Sequence, residues 1–352
     1  MQIEKLIGEG SFPSCVLFSG SRYSGRMYTA NKVADALGST FESTVILSDR
    51  DNITQINAAL NLFEKNRNRA ASKFLENTVK VYLKQFHGAL MDSQSAANRK
   101  KFSDAGDCMD LLAELPSLEE KDIPRFTDRL RKSLEKLYPL SRGQGVTVGK
   151  IRDIKKWCSE YSADGRTKTV IIEGLENCGD SSSNALLKIL EEPPKDTYFI
   201  LISQNPGRIG QTVLSRVRQF HFPDMDNAKK NEFLTSLFVN AADYEDLESF
   251  LITMSGTDDR LLHLSALEIS RGKEPQFPAL IKELERTGMW GRFYSLLVKE
   301  LGNRLASGEL SERKCSYLLE EIENHTSRAS SFNQVPRLTF DFVVFRTLGV
   351  VH

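Results

Sequence analysis

The sequence predicts an α/β protein: a parallel sheet covered by helices on both faces, interrupted by a helical insert and followed by helical segments. Three observations carry this. Short apolar runs alternate with helical periodicity over 14–50 and again over 144–222, the pattern of a buried parallel sheet. Residues from about 53 to 142 carry helical stripes only. After Pro223 the pattern is helical to the end.

The elements follow in order. Ser14 to Ser19 is an apolar run stopped by Gly20, which reads as a buried strand. Gly20 to Gly25 is a turn-rich loop. Arg26 to Leu37 is helical, with Tyr28, Val33 and Leu37 facing inward. Thr44 to Leu47 is the second strand, closed by the polar turn Ser48 to Asn52.

In the insert, Phe74, Thr78, Tyr82, Phe86 and Leu90 recur every four positions, one face of a long amphipathic helix. Phe126, Leu130, Leu134 and Leu137 form a second stripe, so a helical hairpin is expected. Its charged positions, from Lys65 to Lys101 and then Asp104 to Glu120, read as solvated faces, with a docking or nucleic-acid surface as the alternative. The stripes also predict a self-contained packing unit, removable without unfolding the sheet.

Thr147 is placed to cap a helix carrying Ile151, Ile154, Cys158 and Tyr161. Thr169 to Ile172 and Thr197 to Ile202 are strands. Asp180 or Ser181 is expected to cap the helix between them, which Pro193-Pro194 ends. Gln211 to Val217 reads as a short helix and Arg218 to Phe222 as an edge strand.

Composition fits this class. The chain has 352 residues, with 47 Lys+Arg against 47 Asp+Glu, 40% hydrophobic and 27% charged. At about 150 residues per domain, two or three domains are expected. Balanced charge argues against strong stand-alone nucleic-acid binding, which needs clustered basic surplus. The sequence holds no run of about 18 apolar residues, so no membrane span is expected. Met1 to Lys5 lacks the charged-then-apolar build of a signal peptide. The five cysteines, at 15, 108, 158, 178 and 315, are scattered and read as free thiols in a reducing cytoplasm, with no zinc.

Gly20-Ser21-Arg22-Tyr23-Ser24-Gly25-Arg26-Met27 lies between a strand and a helix, with the spacing of a phosphate loop, Gly-x-x-x-x-Gly-Lys-Ser/Thr. Arg26 replaces the lysine that reaches the terminal phosphates. Met27 replaces the hydroxyl that ligates Mg²⁺, and a thioether is a poor ligand for a hard cation. Glu173 stands where active ATPases end a strand with a metal-holding Asp, and Gly174 leaves no base to activate water. Glu173 and Glu176 are expected as solvated strand-end and loop groups.

Asn184-Ala185-Leu186-Leu187-Lys188-Ile189-Leu190-Glu191-Glu192-Pro193-Pro194 precedes Ser203-Gln204-Asn205-Pro206 and Ser215-Arg216-Val217. Together these resemble the clamp-loader subunits of bacterial DNA polymerase III, the gamma/tau and delta-prime branch of AAA+ proteins. Ser215-Arg216-Val217 is similar to the family's Ser-Arg-Cys motif, departing in the third place. Val148 to Arg152 resembles a family helix start, and Asn333 to Leu338 resembles the collar's Asn-x-Asn-Pro-Arg-Leu run.

The resemblance implies a RecA-like nucleotide-binding fold over 1–222 with the insert at 53–142, a helical lid at 223–271 and a helical collar at 272–352. Gamma-type subunits keep Lys-Ser/Thr and Asp-Glu; the eroded versions here resemble delta prime. That type implies a non-hydrolysing stator, part of the DNA polymerase III holoenzyme, in a ring with gamma/tau-type and delta-type subunits. The ring loads the sliding clamp onto primed DNA. Arg216, with Ser215, would serve as an arginine finger toward a neighbour's ATP, and Ser203 and Asn205 as sensor-like residues. No cofactor is required; ATP binding at the eroded loop of Gly20, Gly25, Arg26 and Met27 stays open. The alternatives are a gamma/tau-type ATPase or an inactive AAA+ scaffold that binds partners through its insert.

Overall fold

The computed structural model describes residues 2–48, 52–90, 96–138, 145–160, 167–237, 239, 244, 247–331 and 336–351. Several expectations lie outside these residues: the turn positions 49–51, Tyr161, and Asn333 to Val335 of the collar-like run. The chain divides into two compact units, Met1–Gly256 and Thr257–His352.

The first unit is built on β1 (Cys15–Gly20), β2 (Thr44–Leu47), β3 (Lys168–Glu173), β4 (Thr197–Ser203) and β5 (Arg218–Phe222). All neighbouring pairs are parallel, in the order β2-β3-β4-β1-β5. Side chains alternate across a strand, so each apolar run feeds two cores. Cys15, Leu17, Val45, Leu47, Val170, Ile172, Phe199 and Leu201 face one core. Val16, Phe18, Ile46, Ile171, Ile200 and Ile202 face the other. The first is covered by α7 (Val148–Ser159), through Ile151 and Ile154, and by α8 (Asp180–Glu191), through Leu186 and Ile189. The second is covered by α1 (Gln2–Gly8) and α2 (Arg26–Ala36), through Ile3, Ala30 and Val33. The parallel sheet with both faces covered is the expected α/β architecture.

Local differences from expectation have physical reasons. Tyr28 is 57% exposed rather than inward, because five helical positions separate it from Val33 and turn it to another face; Lys32 lies over its ring. The helix α8 begins after Gly179, with Asp180 already in its first turn, where a carboxylate favours the helix dipole without capping. Thr147 caps α7 as expected, accepting from the Lys150 amide at 3.4 Å. The short helix α9 (Gln211–Leu214) ends three residues before the expected Val217.

The insert is more than a hairpin. It comprises α3 (Ile53–Asn66), α4 (Arg69–Leu83), α5 (Ala96–Glu114) and α6 (Ile123–Glu135). The stripe from Phe74 does not stay α-helical to Leu90. After Leu83 it tightens into 3₁₀ turns, Lys84–Phe86 and Gly88–Leu90, which still bury Phe86. The insert is also not self-contained. Its core of Ile56, Leu60, Phe63, Leu75, Tyr82, Phe126, Leu130 and Leu134 includes Leu234 and Leu237 near the end of α10 (Asn227–Ser236) and Phe250 and Leu251 of α11 (Leu247–Met254).

The second unit is helical: α12 (Arg260–Ser270), α13 (Phe277–Thr287), α14 (Trp290–Ala306), α15 (Glu312–Ser331) and α16 (Pro336–Val351). α12 packs on α14 and α15 on α16, with Phe293 and Phe340 in ring contact at 5.2 Å. Among the described residues, no helix is long and apolar enough to cross a membrane.

Candidate functional site: a phosphate-type loop and a surface arginine

The carboxyl ends of parallel strands are where open α/β sheets bind ligands, because loops and helix N-termini gather there. Gly20 ends β1, Glu173 ends β3 and Ser203 ends β4, with Ser19 and Ser203 in register. The motif glycines, the acidic position and the sensor-like serine therefore share one edge of the sheet.

The loop has the backbone of a phosphate cradle but different contents. Gly25 caps α2 in the left-handed conformation, at φ 87°, where glycine carries no steric cost. Gly20 has φ 152°, and a Cβ there would lie 2.3 Å from the Phe222 carbonyl oxygen of the neighbouring strand β5. Arg26 does not reach outward. It is 2% exposed, and its Nη2 donates to the Ser21 carbonyl at 2.8 Å. The same carbonyl accepts from the Ser24 hydroxyl at 2.9 Å and from the Ser24 amide at 3.3 Å. Three donors from within the motif thus converge on one carbonyl of the loop. Met27 packs partly buried against the core that includes Phe18 and Val33.

The loop tip is engaged with helices instead. Arg22 Nη1 pairs with the Glu248 carboxylate of α11 at 2.9 Å, and its guanidinium lies over the Tyr23 ring at 5.3 Å. Tyr23 in turn packs against the insert core.

The acidic residues are not simply solvated. Glu173 is 5% exposed and accepts from the Ser48 hydroxyl at 2.9 Å. Ser48 follows β2, which lies on the side of β3 away from β4 and β1. A buried polar group needs a hydrogen-bond partner, which this contact provides. Glu176 accepts from the Gln204 amide at 2.8 Å, joining the turn after β3 to the end of β4. Ser203 is buried and its hydroxyl accepts from the Asn205 amide at 3.1 Å, while the Asn205 side chain is exposed. Gly174, at φ 83°, turns the chain after β3 and offers no side chain.

Arg216 lies beyond α9. Its Nη1 donates to the Thr212 carbonyl at 2.7 Å and to the Ser215 hydroxyl at 3.2 Å, and its Nη2 meets the Glu191 carboxylate at 2.6 Å. A third of its side-chain surface remains open. Among the described residues, no group of three or more His, Cys, Asp or Glu side chains is placed to hold a metal.

The chain is similar in sequence to known proteins. The profile of the family described as "DNA polymerase III, delta subunit" matches residues 54–226. The DNA polymerase III subunit delta' of Pseudomonas aeruginosa is 32% identical over 121 residues, covering 34% of this chain and 37% of that protein. The delta' subunit of Haemophilus influenzae is 34% identical over 80 residues, covering 23% and 24%. Over this stretch the chain is similar to the delta' and tau subunits of DNA polymerase III. The tau subunit of Escherichia coli is 42% identical over 90 residues, covering 26% of this chain and 14% of that relative. These alignments therefore span well under half of the relatives' lengths. A solved DNA polymerase III gamma subunit-related protein from Thermotoga maritima aligns over the full length of both chains at 13% identity and a TM-score of 0.45.

Within this site, sequence reasoning missed the partners. Ser48, Arg22, Tyr23 and Glu191 carry the contacts that orient the motif residues, and none stands at a motif position that announces this. The available signals were Arg22 and Tyr23 lying inside the Gly20–Met27 loop and Glu191 inside the Asn184–Pro194 string.

Proposed function

We propose that the chain is a delta-prime-type subunit of a DNA polymerase III clamp loader. In this reading it does not hydrolyse ATP. It is a stator in a hetero-oligomeric ring with gamma/tau-type and delta-type subunits, helps load the sliding clamp onto primed DNA, and presents Arg216 to a neighbour's ATP. Residues 1–222 form the nucleotide-binding-like domain, 223–271 the lid and 272–352 the collar. The protein works in the cytoplasm and needs no zinc or other cofactor of its own.

The observation that carries this reading is Arg26, folded into its own loop and bonded to Ser21. Phosphoryl transfer needs a cation on the terminal phosphates, a hydroxyl and an acid on Mg²⁺, and a group that positions water. Arg26 is turned inward, Met27 offers a thioether, Glu173 is engaged by Ser48 toward β2, and Gly174 has no side chain. These residues do not fit a hydrolysable Mg²⁺–nucleotide. Arg216 supports the other half of the reading: a partly open guanidinium can grip phosphate oxygens bidentately and stabilise charge that develops in transfer.

The test is a reconstitution with ATPase subunits from the same source. The pure chain should show no steady-state ATP turnover. Complex carrying Arg216→Ala should assemble yet lose clamp- and DNA-stimulated ATPase. Fingers in well-studied NTPases are worth about 10³–10⁵ in rate at their own site, and intact sites elsewhere in the ring dilute the total loss. Turnover by the pure chain that vanishes on Gly25→Glu would overturn the non-hydrolysing role. Undiminished ATPase and clamp loading with Arg216→Ala would overturn the finger.

A further inference from the structure

Glu191 occupies a position that is costly for an acid. It is the last residue of α8, where unsatisfied carbonyls carry the negative end of the helix dipole and favour cations over carboxylates. Its carboxylate is half exposed, so burial does not demand it there. What it does is meet Arg216 Nη2 at 2.6 Å, across 25 residues of sequence.

The rest of the guanidinium is held by its own turn. Nη1 bonds the Thr212 carbonyl and the Ser215 hydroxyl. Those contacts fix one edge of the planar group; Glu191 fixes the other nitrogen from a different helix. Among the described residues, no acceptor engages Nε, which leaves that donor and the open part of Nη2 for an incoming oxygen. Pro193 and Pro194 end α8 directly after Glu192, so the backbone that carries Glu191 is stiff.

We propose that Glu191 is a positioning residue for Arg216. Its carboxylate, at the proline-limited end of α8, sets the plane of the guanidinium that a neighbouring subunit's terminal phosphate meets. This rests on the reading of Arg216 as a finger. Glu191 touches no substrate; it acts through the arginine. A side chain as long as arginine loses much rotamer freedom when it engages a phosphate, and an arginine already held in place has less to lose.

The experiment uses the reconstituted complex with Glu191→Gln, Glu191→Asp, Arg216→Ala and the double variant Glu191→Gln/Arg216→Ala. The readout is clamp- and DNA-stimulated ATPase, expressed as the share that Arg216→Ala removes. An exposed ion pair contributes about 0.2–1 kcal/mol, so Glu191→Gln should reduce that share about 1.4- to 5-fold. The loss should appear in kcat with KM for ATP little changed, as expected when an interaction made in the transition state is misaligned. Glu191→Asp should restore part of it. The double variant should be no worse than Arg216→Ala alone, and a melt of Glu191→Gln should match the wild type. If Arg216→Ala lowers turnover and Glu191→Gln does not, positioning fails while the finger stands. Additive losses in the double variant would give Glu191 a separate role and overturn the proposal. If Arg216→Ala itself changes nothing, the finger and its positioning fall together.

Discussion

His87 shows how a single ring can couple the insert to the sheet. Its Nε2 lies 2.7 Å from the Glu42 carbonyl, and its Nδ1 accepts from the Ala89 amide at 3.0 Å. A carbonyl can only accept and an amide can only donate, so the ring is neutral and carries its proton on Nε2. The Trp157 indole packs edge-on at 5.1 Å. Burial holds the His87 pKa below its ordinary value, opposed by the bond to Glu42. Protonating Nδ1 would also set an N–H against the Ala89 N–H. The unfolded chain takes up that proton near pH 6.5, where the folded ring resists, so the unfolded state binds more protons and stability falls as pH drops through this region. One such group contributes a slope of at most about 1.4 kcal/mol per pH unit. The wild-type melting temperature should therefore fall more steeply between pH 7 and pH 5 than that of His87→Gln. Parallel curves for the two proteins would show that this ring does not control the acid limb.

At the scale of elements, the loop after β1 is the most constrained segment. Gly20 combines a φ that favours glycine with a backbone oxygen 2.3 Å from any added Cβ. Phe222 cannot yield without moving β5, which is paired to β1 along its length. Gly20→Ala should cost about 1–3 kcal/mol, visible in denaturant melts without any ligand; an unchanged midpoint would show that β5 gives way freely. Gly25→Ala is milder by the same reasoning, since only its φ objects and no atom lies within 4 Å. The strands and this loop were legible because continuous apolar runs and flanking glycines act locally. The helix Ile53–Asn66 was not singled out, although Ile56, Ala59, Leu60 and Phe63 repeat at helical spacing. The small Ala59 weakens that stripe, and it becomes a core only against Phe126 and Leu251. The inward turn of Arg26 and its bond to Ser21 were hidden for another reason. They depend on side-chain direction within a tight loop, which residue spacing does not encode.

For the first unit as a whole, the insert carries part of the fold. Beyond the core it shares with Leu234, Leu237, Phe250 and Leu251, it makes polar ties to the same segment. Asn61 Nδ2 donates to the Met254 carbonyl at 2.8 Å, Asn68 Nδ2 to Ser236 at 3.3 Å, and Asn66 to the Leu237 carbonyl. Phe74 meets the Phe233 ring at 5.7 Å. On the other side, Val81 packs into one sheet core, Ala89 and Leu90 into the other, and Lys84 donates to Asn31 of α2 at 2.8 Å. The Lys84 ammonium is buried, which lowers its pKa, with Asp35 acting in the opposite direction. Replacing 55–141 by a short Gly/Ser bridge would therefore expose apolar surface on both sheet faces and strip α10 and α11 of their packing partners. The expected result is loss of a cooperative melt for residues 1–256, with binding of a hydrophobic dye. Point variants separate this from a crude effect of deletion. Leu75→Ala in α4 and Phe250→Ala in α11 line one core, so each should cost about 2–5 kcal/mol. Both should shift the same transition, because residues in a shared core unfold as one cooperative unit. If instead the deletion leaves a sharp melt, or the two variants move separate transitions, the insert is an appendage and the segment 227–254 is held by the sheet alone.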